Sequence, residues 1–413
     1  MPKNHVATLS GICFKFDRRQ IESAVASILS GDFSRAIPIV SSLFTVKHFQ
    51  LHPKEDYVQV LIAESEVKDK FPLLLSELAK IGMLATAKRS EYFRWLMPTL
   101  RSVRQSMGDG VVIGIHKMPR HKPRPGYKRY IPLALFLLTI TVVFVDGMFR
   151  SNVSFGETQQ QDPILLATIY TISLLGILGI HELGHILANR KYGVKASWPY
   201  FIPGIPSVLP TFGALIVLRA HMPSRNVVFD VGIAGPIAGL IVTVIVSMYG
   251  ASISTLISIE EADRLFDENL LAPLPFGESV LMVATLHLTG MVVEDTVLVA
   301  SPVLFAAWLG FLITFLNLMP AWQLDGGHIA RSALGVRLHK ILTYVSIAIL
   351  FILGFFPMAL LVLFFSMKAP ESSPLDDVTP LSSRRKALFF VALGIAIICA
   401  PIPNSFTPWG AGL

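Results

Sequence analysis

The chain has 413 residues, 53% of them hydrophobic and only 15% charged, and a mean hydropathy of +0.59, too apolar for a soluble protein of this size. The net charge of +7 could suit a nucleic-acid partner, but much of the basic excess sits beside apolar runs, at Lys117, Arg120, Lys122, Arg124, Lys128 and Arg129, where it reads as a topology signal. No nucleic-acid binding is expected. Cys13 and Cys399 lie at opposite ends of the chain with no CxxC pair, which supports neither a disulfide framework nor a thiolate metal site.

Met1 to Asp17 lack an apolar stretch of signal-peptide length, so the N-terminus is expected to stay in the cytosol. Within residues 1–125, Tyr57 to Ala63 alternates like a strand, Val67 to Gly82 reads as an amphipathic helix and Val111 to Ile115 is a short β-rich run. These predict a small soluble α+β domain, whose role the sequence leaves open. His52, His116 and His121 are isolated there and read as packed or solvated rather than as ligands.

Apolar runs follow at Tyr130 to Phe149, Pro163 to Ala188, Val227 to Tyr249, Val297 to Met319, Ile341 to Ser366 and Ala387 to Ala400. Most approach the roughly 20 residues that cross a bilayer, which predicts an α-helical polytopic membrane protein. Residues 126–160 form a first transmembrane helix and loop, 161–335 a core, and 336–413 the C-terminal transmembrane helices. The basic stretch before Tyr130 starts the first span in the cytosol, and Asn189, Arg190 and Lys191 end the second there. Arg219 and Arg225 start the third span at the same face, and an acidic loop with Glu260, Glu261, Asp263, Asp267 and Glu268 lies outside. Ile341 to Ser366 is too long for one ordinary span and short for two. A tight hairpin at Phe355, Phe356 and Pro357 makes the total about seven; one long tilted span makes it six.

Between the second and third spans, Trp198 to Leu218 is apolar but carries Pro199, Pro203, Pro206 and Pro210, which exclude a helix. Phe212 to Leu218 has strand character, so the segment is expected to fold back as a re-entrant β-like hairpin. Its edge is either free to pair with an unwound substrate or packed as a connection. Gly235, Pro236 and Gly239 in the next span are read as sites of close helix packing or a kink, with no chemistry implied.

The chemistry concentrates at His181, Glu182, Leu183, Gly184, His185, an HExxH motif at the inner end of the second span. Residues four apart on an α-helix share a face, so two imidazoles can hold one zinc while the intervening glutamate reaches water activated by the metal. Ionisable groups inside a span are costly and are retained for function or when paired. A catalytic zinc needs a third protein ligand and keeps one position open. That ligand is expected to be Asp325, with His328 as its rival, in the run Asn317 to His328. His181 and Asn317 each follow the start of their span by roughly 18 to 20 residues, or about 27 to 30 Å, and so meet at one depth. Pro320, Gly326 and Gly327 are expected to break the helix and let Asp325 turn back toward the metal.

At these residues the chain resembles the site-2 protease family of intramembrane zinc metalloproteases. HELGH matches that family's HExxH, and Asn317 to Gly327 matches its asparagine, proline and LDGG segment. Ser197 to Gly213 with Phe229, Asp230, Gly235, Pro236 and Gly239, and Pro370, Glu371, Asp377, Val378 and Thr379, are similar to the subgroup of chloroplast gravitropism-deficient-type proteases and prokaryotic relatives. The likeness spans roughly Ile164 to Pro403. It implies His181, His185 and Asp325 as ligands of one Zn2+ per chain and Glu182 as general base. Asn317 positions substrate or aids the oxyanion, or else caps a broken helix, and Asp230 either lines a polar channel for water or caps its span.

The function expected is hydrolysis of peptide bonds in transmembrane or membrane-anchored proteins near the cytosolic face, in a lipid bilayer and most simply a prokaryotic cell membrane. Two other readings keep the metal site without proteolysis. One is a silent zinc-binding membrane chaperone or scaffold, against which the intact Glu182 argues. The other is a zinc transporter, which would need ligands along a translocation path.

Overall fold

The computed structural model describes residues 32–52, 57–89, 110–118, 130–155, 162–218, 220–268, 276–368 and 373–402. They divide into two compact units: one holds the described residues within Met1–Pro123, Met222–Arg225 and Ser373–Pro380, the other those within Arg124–His221, Asn226–Ser372 and Leu381–Leu413. Cys13, His121, Arg219, Pro370, Glu371 and the basic stretch from Arg120 to Arg129 fall outside the described residues.

In the first unit, helix α1 (Ala36–Leu43) precedes β1 (Val46–His52) and β2 (Tyr57–Ile62), then α2 (Phe71–Lys80), β3 (Met83–Arg89) and β4 (Val111–Lys117). The four strands form an antiparallel sheet in the order β1-β2-β4-β3. Helix α2 buries Phe71, Leu74 and Leu78, the stripe at helical spacing that covers the sheet. Residues from far along the chain complete this unit. Ala87 donates its N–H to the Leu375 carbonyl at 2.7 Å and accepts from Asp377 at 3.1 Å, and Leu375 donates to Met222 at 2.9 Å. Leu375 and Val378 enter the same core as Val60, Leu74 and Ile113. Asp376 fixes the turn by accepting from Val378 N and Thr379 N, each at 3.0 Å. His116 is stacked on Tyr57, with ring centroids 5.2 Å apart.

The second unit makes the chain a polytopic helical membrane protein with small β-sheets. It contains α3 (Ile131–Phe155), α4 (Pro163–Lys191), β5 (Tyr200–Ile205), β6 (Leu209–Leu215), α5 (Arg225–Ser252) and β7 (Thr255–Ser258). Then come α6 (Ile259–Asp267), α7 (Val280–Leu288), β8 (Thr296–Val299), α8 (Pro302–Leu318), α9 (Asp325–Ile352), α10 (Phe356–Lys368) and α11 (Ser383–Cys399). Among the described residues, α3 over Ile131–Asn152, α4, α5 and α9 are long and apolar enough to cross a membrane, although α9 is two helices joined across a kink at Gly335 (φ +81°), and α8 and α10 are shorter apolar helices.

Local chemistry sets the helix starts. Asp162 accepts from Ile164 N at 2.9 Å with Pro163 in the first turn of α4, and Ser301 accepts from Leu304 N at 3.1 Å with Pro302 behind it at the start of α8. A side-chain acceptor and a proline both suit the free N–H groups of a first turn. Helix α8 is apolar all round and buried on most of its surface, with Phe311 and Phe315 packed in one core with Leu174 and Leu178 of α4. It is the centre against which the other helices lay one face.

Several boundaries differ from the sequence expectation. The run expected to begin a span at Val297 opens instead with β8, which pairs antiparallel with β7, and the helix begins only at Pro302. An apolar β-rich strand and the start of a span have the same composition, so periodicity cannot separate them. The run Ile341 to Ser366 is divided between α9 and α10 at Gly354, whose φ is +83°. The acidic stretch after the third span is largely helix α6, capped by Ser258. Gly326 and Gly327 lie inside the first turn of α9 and do not break it. They are needed because a Cβ on either would run into the carbonyls of Leu318 or of Ala321 and Trp322.

Candidate metal centre

Helix α4 places His181 and His185 on one face, one turn apart, with ring centroids 4.9 Å apart. Asp325 is the first residue of α9, following an extended Leu324 (φ −63°, ψ 162°). The break between α8 and α9 therefore aims a carboxylate at the imidazoles of a different helix. Asp325 Oδ2 lies 3.3 Å from His181 Nε2 and 3.3 Å from His185 Nε2, and the two Nε2 atoms are 3.2 Å apart. Among the described residues this is the group of three side chains able to hold a metal.

The donor set fits zinc. Tetrahedral ligands at about 2.0–2.1 Å from the ion stand roughly 3.3–3.4 Å from one another, which the three separations match. His185 Nδ1 donates to the Val231 carbonyl at 2.8 Å. A carbonyl only accepts, so the Nδ1 of that ring carries a proton and Nε2 presents a lone pair. A bare imidazole nitrogen facing a carboxylate and a second imidazole at these distances calls for a proton or a metal cation among them.

The neighbouring helix is cut to receive the rings. A Cβ on Gly235 of α5 would overlap the His185 imidazole, and one on Gly239 would come 3.0 Å from His181 Cβ. The two glycines repeat the four-residue spacing of the two histidines, one below each ring. Gly184, inside the HExxH motif, allows the helices to meet, since its Cβ would stand 2.6 Å from the Ala234 carbonyl. From the sequence, Gly235 and Gly239 read as sites of close helix packing or a kink, with no part in the metal centre. That reading gives no role to Gly184, named only as part of the motif, or to the Val231 carbonyl, which only the fold brings to the site. The matched spacing of Gly235 and Gly239 with His181 and His185 was the available signal.

Glu182 is buried, 7% exposed, beside the cluster. Asn317, in the last turn of α8, has Nδ2 3.4 Å from His181 Nε2, so its amide reaches the same centre. His328 lies outside the metal-capable group and packs with its Cβ toward Gly232. Asp230 is engaged elsewhere: it takes two hydrogen bonds from Arg385, each 2.6 Å, and one from the Tyr192 hydroxyl.

Comparison with known proteins agrees with this geometry. The model of peptidase family M50 matches residues 169–357, which contain His181, His185 and Asp325. The chain is 33% identical over 322 residues to the probable zinc metalloprotease EGY1, chloroplastic, of Arabidopsis thaliana, covering 70% of this chain and 56% of that protein. It is 30% identical over 244 residues to the probable zinc metalloprotease EGY2, chloroplastic, of Oryza sativa subsp. indica, covering 56% of this chain and 42% of that protein. It is 26% identical over 292 residues to the probable zinc metallopeptidase EGY3, chloroplastic, of Arabidopsis thaliana, covering 66% and 48%. The chain thus spans about half the length of the curated relatives it matches. No solved structure matches it.

Proposed function

The chain belongs to peptidase family M50, the site-2 protease family of zinc metalloproteases, and on that premise we propose that it is an intramembrane zinc metalloprotease. Its substrates are membrane-anchored or transmembrane proteins, cut near the cytosolic face. One observation carries the reading: two imidazoles of α4 and a carboxylate of α9 converge to within 4.8 Å, with the buried Glu182 beside them.

His181, His185 and Asp325 hold one zinc ion per chain. When bound there, zinc supplies Lewis-acid polarisation of a peptide carbonyl and acidification of water. Glu182 takes the proton from the attacking water as the carbon–oxygen bond forms, and returns it to the departing amine nitrogen as the carbon–nitrogen bond breaks. The Asn317 amide donates to the carbonyl oxygen, where negative charge develops. His185, held by the Val231 carbonyl, keeps its orientation throughout.

A helical substrate hides its carbonyls in hydrogen bonds and must be unwound before attack. The β5–β6 hairpin serves that purpose. Ile205, Val208, Phe212 and Leu215 are exposed apolar side chains along it, as suits a hairpin re-entering lipid, and among the described residues no third strand pairs with it. Its free edge can receive an extended substrate segment. Four helices are long and apolar enough to cross a membrane, and counting α8, α10 and α11 beside them we read six to seven spans, with the N-terminus cytosolic and a prokaryotic cell membrane as the setting. Retention of Glu182 speaks for hydrolysis, since a scaffold that only binds zinc needs no base. The clustering of the ligands at one depth speaks against transport.

The test is the purified full chain in liposomes with a single-span reporter. Wild type is expected to cut the reporter and to stop when the metal is chelated. Glu182→Ala is expected to lose at least about 100-fold in rate, the contribution of a positioned general base, while still binding zinc. Equal cleavage by Glu182→Ala would overturn the mechanism.

A further inference from the structure

A second group of polar side chains lies inside the apolar helices, away from the metal. Asp146 of α3 is fully buried, 0% exposed. Its carboxylate accepts from the Tyr170 hydroxyl of α4 at 2.5 Å and from Arg150 Nε at 2.8 Å, with Arg150 Nη2 at 3.4 Å. Arg150 in turn lies over the Phe305 ring, 3.6 Å from its centroid. Eleven residues separate Tyr170 from His181, roughly 16 Å along the axis of α4, so none of these groups shares the metal centre.

The remaining partner of Asp146 is the informative one. Its Oδ1 accepts the backbone N–H of Ser207 at 2.7 Å, and Ser207 is the tip of the β5–β6 hairpin. The turn closes with Val208 N donating to the Ile205 carbonyl at 3.2 Å, Pro206 at its second position and Ser207 at its third with φ +65°. A turn of that form favours glycine at the third position, because a Cβ is disfavoured in the left-handed region. A serine is held there with its N–H turned onto a buried charge. Gly147 makes the arrangement possible: a Cβ on it would come 2.7 Å from Tyr170 Cδ1 and 3.0 Å from Ala167 Cα. The two helices therefore close to the distance at which Tyr170 reaches Asp146.

Buried ionisable groups in apolar spans are expensive and mark function, and here the ion pair terminates on the element proposed above to dock substrate. We propose that Asp146 is a positioning residue for substrate: with Arg150 and Tyr170 it latches the hairpin tip to the first span, so that the free edge of β6 is held for an incoming extended segment. Strand β5 lies along α3, with Phe201 against Phe136 at 5.0 Å between ring centroids, and β6 touches α4, the helix of the metal-binding histidines. The latch thus fixes the far end of a hairpin whose sides already rest on both helices. This rests on the hairpin serving substrate, as proposed above.

The experiment compares wild type with a variant carrying Asp146→Cys and Ser207→Cys in a Cys13→Ser background, in liposomes with the single-span reporter. Hydrogen exchange over residues 200–218 and zinc content are measured alongside. With the two introduced thiols reduced, KM is expected to rise about tenfold or more, the loss of a hydrogen bond to a charged group. The kcat should stay within about twofold, zinc content should be unchanged, and exchange in the hairpin should be faster. Oxidation to the disulfide re-ties the tip and is expected to restore KM and exchange protection, which general destabilisation would not allow. Wild-type KM and exchange in the reduced variant, or a raised KM that oxidation leaves untouched, would overturn the latch. If wild type itself fails to cut any reporter, the protease reading falls, and hairpin exchange that still follows the redox state leaves the latch standing as an anchor without its assignment to substrate.

Discussion

Two imidazoles four residues apart on a helix can converge on one ion only where the facing helix leaves room for both rings. That room is made by Gly235 and Gly239, at which a Cβ would strike His185 and crowd His181 respectively. The two sites differ in severity, because the first clash is with the ring itself and the second is a 3.0 Å approach to a Cβ. Gly235→Ala is therefore expected to lose most of its zinc and to be destabilised by about 1–3 kcal/mol, as overpacked cores are, whereas Gly239→Ala should keep more of both. Metal analysis and thermal unfolding of the two purified variants check this, and equal zinc in both would contradict it. The HExxH motif and Asp325 were legible in the sequence because metal-ligand chemistry restricts residue type and spacing. The glycines and the Val231 carbonyl were not, since nothing in a linear pattern says which helix faces which.

At the scale of elements, the long spans were legible because a bilayer demands both length and apolarity, and the four prolines after Trp198 rightly excluded a helix from Tyr200–Ile205 and Leu209–Leu215. What escaped was the small strand β8, hidden in an apolar run, and the role of the glycines that open α9. The polar tie at one end of the bundle also escaped. Asp230 of α5, expected to line a channel or cap its span, holds Arg385 of α11 through two hydrogen bonds of 2.6 Å and also accepts from Tyr192 just beyond α4. It precedes Val231, whose carbonyl orients His185, so the tie steadies the turn of α5 that touches the metal centre. Both partners are less than one-third exposed. Asp230→Asn and Arg385→Gln are each expected to lower the unfolding midpoint, and a double-mutant cycle should give a coupling of about 1 kcal/mol or more. Additive effects would show the pair to be independent.

Across the whole molecule, hydrophobic pattern separates a mixed N-terminal region from a membrane-embedded remainder. The described structure adds that Met222–Arg225 and Ser373–Pro380 belong to the first compact unit. Strand pairings between residues so distant in the chain leave no local signature. The second unit assembles its metal centre in the same long-range way, from α4 and the start of α9 across the break that follows α8. The most direct test of that convergence measures zinc content and reporter cleavage together in wild type and Asp325→Ala, both reconstituted as full chains. Wild type is expected to carry one zinc per chain and cut the reporter, and Asp325→Ala to lose most of the metal and the cleavage with it. A full equivalent of zinc and undiminished cleavage in Asp325→Ala would contradict the site.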